Sequence, residues 1–268
     1  MSRAARRPSP RRPVATALTV AGSDGSGGAG IQADLRTFAA AGVWGGSVVT
    51  AVTVQDTERV HAMRAMPAAL VRAQLEALLV DLAPRAVKSG MLASAPIVEA
   101  VAAVCRDARV TRLVVDPVVR STSGAVLLTA GGVRALREEL LPLAYVVTPN
   151  LAEAALLSGL EITDVRSAEE ASRRILRLGP RAVVVKGGHL PGAPIDVLAT
   201  RTGSRRFSGA RRGAGAHGTG CVFSAALAAH LARGQMLDDA IGAAKRLVDR
   251  GLREALHVGK GRAVLGFR

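Results

Sequence analysis

The feature that most constrains this chain is a repeating unit, in which short continuous apolar runs alternate with helical patterns along nearly its whole length. Residues 14–21 read as a buried strand, followed by a glycine-rich turn over 22–30 and an amphipathic helix over 31–41 with Leu35 and Phe38 on one face. Residues 46–54 form a second β-rich run. A helix follows over 67–82, with proline near its start, where the missing N–H is tolerated. Further strands fall at 86–88, 112–115, 145–147 and 181–185, with helices over 97–105, 131–141, 151–158 and 168–178 between them. Runs at 195–200 and 204–207, joined through Thr202-Gly203, read as a β-hairpin, and helices over 220–233 and 238–256 follow. Unbroken apolar strands between helices imply parallel strands buried on both faces, so the expected fold is α/β around a central, mostly parallel sheet.

Composition narrows the function classes. The chain has 268 residues, 49% of them hydrophobic, and its one expected domain spans 14–268 behind a disordered basic tail over 1–13. No run reaches the roughly 20 uncharged apolar residues that cross a bilayer, so no membrane partner is expected. The net charge of +15 invites a nucleic-acid reading, yet five of those charges belong to tail arginines and the rest are scattered. With aromatics at 2%, base stacking has almost no platforms, and no specific nucleic-acid partner is expected. A basic surface equally suits a polyphosphate ligand. Cys105 and Cys221 form neither a disulfide framework nor a zinc motif, which fits a reducing, cytoplasmic location.

A parallel sheet takes its ligand at the carboxyl ends of its strands, and the unusual residues of this chain fall there. Gly25-Ser26-Gly27-Gly28-Ala29-Gly30 formally matches a dinucleotide fingerprint, but the second strand ends in Gln55 rather than a ribose-gripping acid. The glycines therefore read as a loop whose backbone approaches a small ligand closely. His217-Gly218-Thr219-Gly220-Cys221 precedes an alanine-rich helix, so its N–H groups would form an anion hole, and Cys221 in the first turn would have a depressed pKa. The plain alternative is a chain turn with a small core cysteine. Asn150 and Glu153 match a helix capping pattern or, functionally, a grip on magnesium and its waters. Asp116 at a strand end is a second metal or phosphate candidate, or an ordinary turn residue. Lys186 closes an apolar strand, where its ammonium needs an anion such as phosphate unless it snorkels out. The Gln55 amide matches a ring nitrogen beside an exocyclic amine, and Met91 could lie flat against such a ring.

Together these residues resemble the hydroxymethylpyrimidine/phosphomethylpyrimidine kinases of thiamin biosynthesis, in the ribokinase-like superfamily. The resemblance covers residues 17–258 and rests on Ala21-Gly22-Ser23-Asp24, the run from Gly28 to Leu35, Val54-Gln55, Ser89-Gly90-Met91-Leu92, Val115-Asp116-Pro117-Val118, Thr148-Pro149-Asn150 with Glu153-Ala154, Lys186-Gly187-Gly188-His189 and the His217–Cys221 pentapeptide. It implies a three-layer ribokinase-like domain with a small hairpin, acting as a stand-alone kinase. The implied reaction is ATP-dependent phosphorylation of 4-amino-5-hydroxymethyl-2-methylpyrimidine, first to the monophosphate and then to the diphosphate. Pyridoxal or pyridoxine phosphorylation is the alternative. Gln55, Ala29, Asp34 and Met91 would line the pyrimidine pocket. Gly218, Thr219, Gly220 and Cys221 would hold the transferring phosphoryl, with Cys221 as base. Lys186, Asp116, Asn150 and Glu153 would serve ATP, with Glu153 and Asp116 toward Mg²⁺. A monovalent cation and a homodimer are further expectations of the resemblance. Arg120 occupies a segment where relatives are often more apolar, and it is expected to supply the cation that a phosphorylated acceptor needs.

Overall fold

The computed structural model describes residues 14–188, 190, 194–209 and 216–267. The tail over 1–13 and His189 lie outside the described residues.

Among the described residues nine strands form one sheet: β1 (Thr16–Ser23), β2 (Trp44–Gln55), β3 (Val60–Ala65), β4 (Ala86–Ser89), β5 (Leu113–Val115), β6 (Val146–Val147), β7 (Ala182–Val185), β8 (Ile195–Thr200) and β9 (Gly203–Ser208). Their order is β3-β2-β1-β4-β5-β6-β7-β8-β9, parallel from β2 to β7 and antiparallel at both margins. The β8–β9 pair is the expected hairpin. β3 was not expected from the sequence. It is an antiparallel edge strand paired with β2, and its half-exposed Val60–Ala65 run carries His61 and Arg64, which mask the apolar signal.

The helices are α1 (Gly30–Ala40), α2 (Ala68–Leu82), α3 (Ala95–Asp107), α4 (Ala130–Ala135), α5 (Leu151–Ser158), α6 (Val165–Leu176), α7 (Thr219–Ala232) and α8 (Leu237–Arg253). The helix expected over 131–141 is short: after α4 the chain widens into a π turn at Leu136–Leu140 and tightens at Leu141–Leu143, where Pro142 brings no N–H.

Alternation along the strands builds two apolar layers. Leu18, Val20, Leu113, Val115, Val183 and Val185 face a core shared with α2, α3, α5 and α6. Ala17, Val114, Val146, Ala182 and Val184 face the opposite core, with Phe38 of α1 and the apolar faces of α7 and α8. α7 is buried all round, as its Ala225–Ala229 stretch permits. This three-layer arrangement sends the carboxyl ends of β1, β2, β4, β5, β6 and β7 to one edge of the sheet. Among the described residues, no helix is long and apolar enough to cross a membrane.

Candidate active site

The glycine loop after β1 is organised by Asp24. Its carboxylate accepts hydrogen bonds from the Ser26 N–H (2.9 Å), the Ser26 hydroxyl (2.8 Å) and the Ala29 N–H (2.8 Å). The Ala29 bond caps α1 in place of a side chain of its own. Burial would raise the Asp24 pKa, but the hydrogen bonds with His217, Ser26 and Ala29 outweigh it and hold the carboxyl below its usual range. His217 Nε2 lies 3.4 Å from Asp24 Oδ2 and 3.2 Å from the Gln55 amide. Gln55, at the end of β2, also meets the Thr53 hydroxyl at 3.3 Å. One polar chain thus links the ends of β1 and β2 to the approach of α7.

The two loops cross in backbone contact. Gly218 has φ +83°, and a Cβ there would run into the carbonyl oxygen of Gly28, so glycine is required on both counts. Three residues later, the Gly30 N–H donates to the Cys221 sulfur. The N-termini of α1 and α7 therefore converge on Cys221. The thiol does not have the low pKa expected at a helix start: burial pushes it up to about 11, and the nearby Lys88 ammonium only partly opposes this. Helix position favours thiolate only where solvent or a free cation helps, and here the lysines already face carboxylates.

Beneath the α7 terminus, Lys186 Nζ binds Asp116 Oδ1 at 2.8 Å. A Cβ on Gly220 would lie 3.2 Å from that ammonium, which places the lysine directly under the anion hole. The anion that Lys186 meets within the protein is Asp116. Ser224 of α7 donates to Asp116 Oδ2 at 3.1 Å. Burial opposes ionisation of Asp116, but Lys186 and Lys88 prevail and lower its pKa. Asp116 is thus a buried ion-pair member, and its carbonyl also accepts the Val118 N–H at 2.8 Å as the chain turns.

Asn150 and Glu153 form a complete capping box: the Asn150 side chain accepts from the Glu153 N–H at 2.9 Å, and Glu153 Oε2 accepts from the Asn150 N–H at 2.8 Å. Glu153 is also buried against Lys186 and Asp116, and burial raises its pKa to about 7. Asn150 and Lys186 are held side by side, because the Lys186 N–H donates to the Pro149 carbonyl at 2.9 Å. The cap and the charged site therefore coincide.

Met91 packs on the end of β1, where a Cβ on Gly22 would lie 2.8 Å from its sulfur. Asp34 corrects an expectation. It is wholly inaccessible and cannot touch a ligand, because Lys88 Nζ (2.7 Å) and the Thr19 hydroxyl (2.6 Å) bind one carboxylate oxygen in the core. Burial disfavours the Lys88 charge, but Asp34 outweighs that cost and raises its pKa. The Arg120 guanidinium bonds the Gly124 carbonyl within its own loop at 3.1 Å.

Sequence reasoning passed over Lys88, the organising role of Asp24 and the segment after α8. A lysine within an apolar strand, and an aspartate followed two residues later by serine, were the available signals. The last segment offered none. Its Ala263 carbonyl accepts from the His217 N–H at 2.8 Å, and the Gly261 and Arg262 N–H groups bond the Thr57 hydroxyl and carbonyl. It walls an open groove of about 480 Å³ bordered by Ser26, Gln55, Asp56, Thr57 and Lys260.

The family model described as phosphomethylpyrimidine kinase matches residues 24–265. A hydroxymethylpyrimidine/phosphomethylpyrimidine kinase of Rhizobium meliloti is 47% identical over 254 residues, covering 93% of this chain and 95% of the relative. The thiamine biosynthesis bifunctional protein of Geobacter sulfurreducens is 46% identical over 96% of this chain, which spans only 52% of that relative's length. Among solved structures, the Staphylococcus aureus pyridoxal kinase in complex with AMP-PCP and pyridoxal is similar at a TM-score of 0.87 and 31% identity, over 96% of this chain and 94% of that one.

Proposed function

The chain belongs to the phosphomethylpyrimidine kinase family, and on that footing we propose that it transfers the γ-phosphoryl group of ATP to the hydroxymethyl group of 4-amino-5-hydroxymethyl-2-methylpyrimidine. A second transfer, to the resulting monophosphate, gives the diphosphate. The observation that carries this reading is the hydrogen-bonded link from Gln55 through His217 into the turn that ends at Cys221. A ring read by Gln55, with Ala29 and Met91 beside it, directs its hydroxymethyl group toward the α7 terminus.

In each transfer an acceptor oxygen bonds to phosphorus and the bond to the ADP oxygen breaks. The N–H groups of Gly218 to Cys221 and the Lys186 ammonium stabilise the transferring group, which is most of what this chemistry needs. Cys221 receives the hydroxyl proton in the first transfer. Only the thiolate can take it: burial holds the thiol up to about 11, so the acceptor is the minor deprotonated form that the Lys88 ammonium favours, its own proton having already left to solvent. Asp116 and Glu153 are the carboxylates available to a magnesium ion. Among the described residues no group of three or more such ligands forms a ready-made cage, so the pair suits an ion that arrives with ATP and keeps its waters. Bound there, magnesium would neutralise charge on the phosphate oxygens. The homodimer belongs to the same proposal, and Val52 and Val54, exposed on β2, offer apolar surface for it.

An ADP-release assay with the aminopyrimidine and pyridoxal side by side tests the reading. Preference for the aminopyrimidine is expected, and preference for pyridoxal overturns it. Replacing Gln55 with alanine is expected to raise the aminopyrimidine KM about tenfold or more, the scale of one or two lost hydrogen bonds, with a smaller change in kcat.

A further inference from the structure

Two polar side chains, Asp24 and Gln55, meet His217 Nε2, and the chemistry of the three decides how they are arranged. Asp24 Oδ2 is 3.4 Å away and belongs to a carboxylate that already accepts three hydrogen bonds from its own loop. An ionised carboxylate has no hydrogen to give, so the nitrogen facing it must carry one. In the structure Gln55 Nε2 lies 3.2 Å from the same nitrogen, but a nitrogen that carries a hydrogen needs an acceptor there, so the amide is assigned with its two ends exchanged and its oxygen toward His217. The other end of the amide confirms the assignment by elimination. Gln55 Oε1 as placed lies 3.3 Å from the Thr53 hydroxyl, whose single hydrogen has the nearer Ser23 carbonyl at 2.8 Å; with that hydrogen on Ser23 the threonine oxygen can only accept from Gln55, and an NH₂ is what it needs. The ends of a glutamine amide are told apart by such partners.

We infer that Asp24 and His217 are positioning residues that fix the direction of the Gln55 amide: His217 Nε2–H donates to the amide oxygen, and the amide nitrogen is turned toward Thr53. This deepens the proposed function and rests on it for the identity of the ligand. One N–H and one oxygen lone pair of Gln55 then remain, side by side and in a fixed order, for the ring. An aminopyrimidine offers an acceptor nitrogen next to a donor amine. Its hydroxymethyl group has to point at α7, so the ring cannot turn over to match a reversed amide. Pyridoxal separates its ring nitrogen from its hydroxyl by a methyl-bearing carbon, so the fixed order gives it no matching pair. The His217 ring is itself held in place, since a Cβ on Gly28 would collide with it and the backbone N–H of His217 is tied to the Ala263 carbonyl.

The direct test is the ¹⁵N shift of His217 Nε2 in the ligand-free protein. A pyrrole-type, hydrogen-bearing nitrogen is expected, and a pyridine-type nitrogen overturns the inference whichever substrate the enzyme takes. The kinetic test compares His217→Leu, His217→Gln and Asp24→Asn. Loss of the fixed donor in His217→Leu should raise the aminopyrimidine KM about tenfold, with kcat changed by less than about threefold. His217→Gln returns an N–H donor and should recover most of the affinity, and Asp24→Asn should resemble His217→Leu. If Asp24→Asn fails to fold, the two His217 variants decide the matter. Equal losses in kcat and KM across them, or no rescue by glutamine, overturn the inference. A wild-type preference for pyridoxal would instead overturn the proposed function and leave the nitrogen assignment standing.

Discussion

At the scale of single residues, the site is a set of buried charges that hold one another. Removing one member exposes what the others cost. Lys88→Met leaves the Asp34 carboxylate in the core without its cation, and a loss of about 3–5 kcal/mol is expected in urea unfolding. An Asp34→Asn, Lys88→Met double variant should regain much of that, which separates a stranded charge from a packing defect. Cys221→Ala is expected to lower kcat by roughly 100-fold, the usual scale for a lost proton acceptor, with the aminopyrimidine KM nearly unchanged. Residue types and their places at strand ends were legible in the sequence. Their ionisation was not, because it depends on burial and on partners distant along the chain. Cys221 shows this most plainly: helix position suggested a thiolate, and the closed surroundings give a thiol pushed up to about 11.

Among the elements, α5 couples fold to charge, since its capping acid is also a charged-site residue. Burial raises Glu153 to about 7, so the folded protein keeps a proton there that the unfolded chain releases near the ordinary glutamate value. Its stabilising contribution is full below that ordinary value and fades as pH climbs through about 7. Activity should run the other way, because only the carboxylate serves the ATP side. We expect kcat/KM for ATP to rise across about pH 7, and Glu153→Gln to flatten that rise in a pH profile at saturating aminopyrimidine. The parallel strands and their helices were readable because strands buried on both faces are continuously apolar, as in Ala182–Val185. β3 was not, since His61 and Arg64 interrupt the apolar run of an edge strand that is largely open to solvent.

In the whole molecule, the segment after α8 completes the site from outside the βα repeats. Val264 pairs with His217, packs against Gly28 and bridges to Leu256. Truncation after Arg253 is expected to raise the aminopyrimidine KM more than it lowers kcat, read in the same ADP-release assay, because it frees the His217 side of the cleft. Nothing in the periodicity of residues 254–267 announces this, as its value lies in backbone hydrogen bonds to Thr57 and His217. The contact of Gly218 with the Gly28 carbonyl has a practical corollary for anyone recombining such enzymes. Neither loop can be exchanged alone, since each is the mould in which the other is cast, and a viable hybrid must inherit residues 24–30 and 217–221 from the same parent.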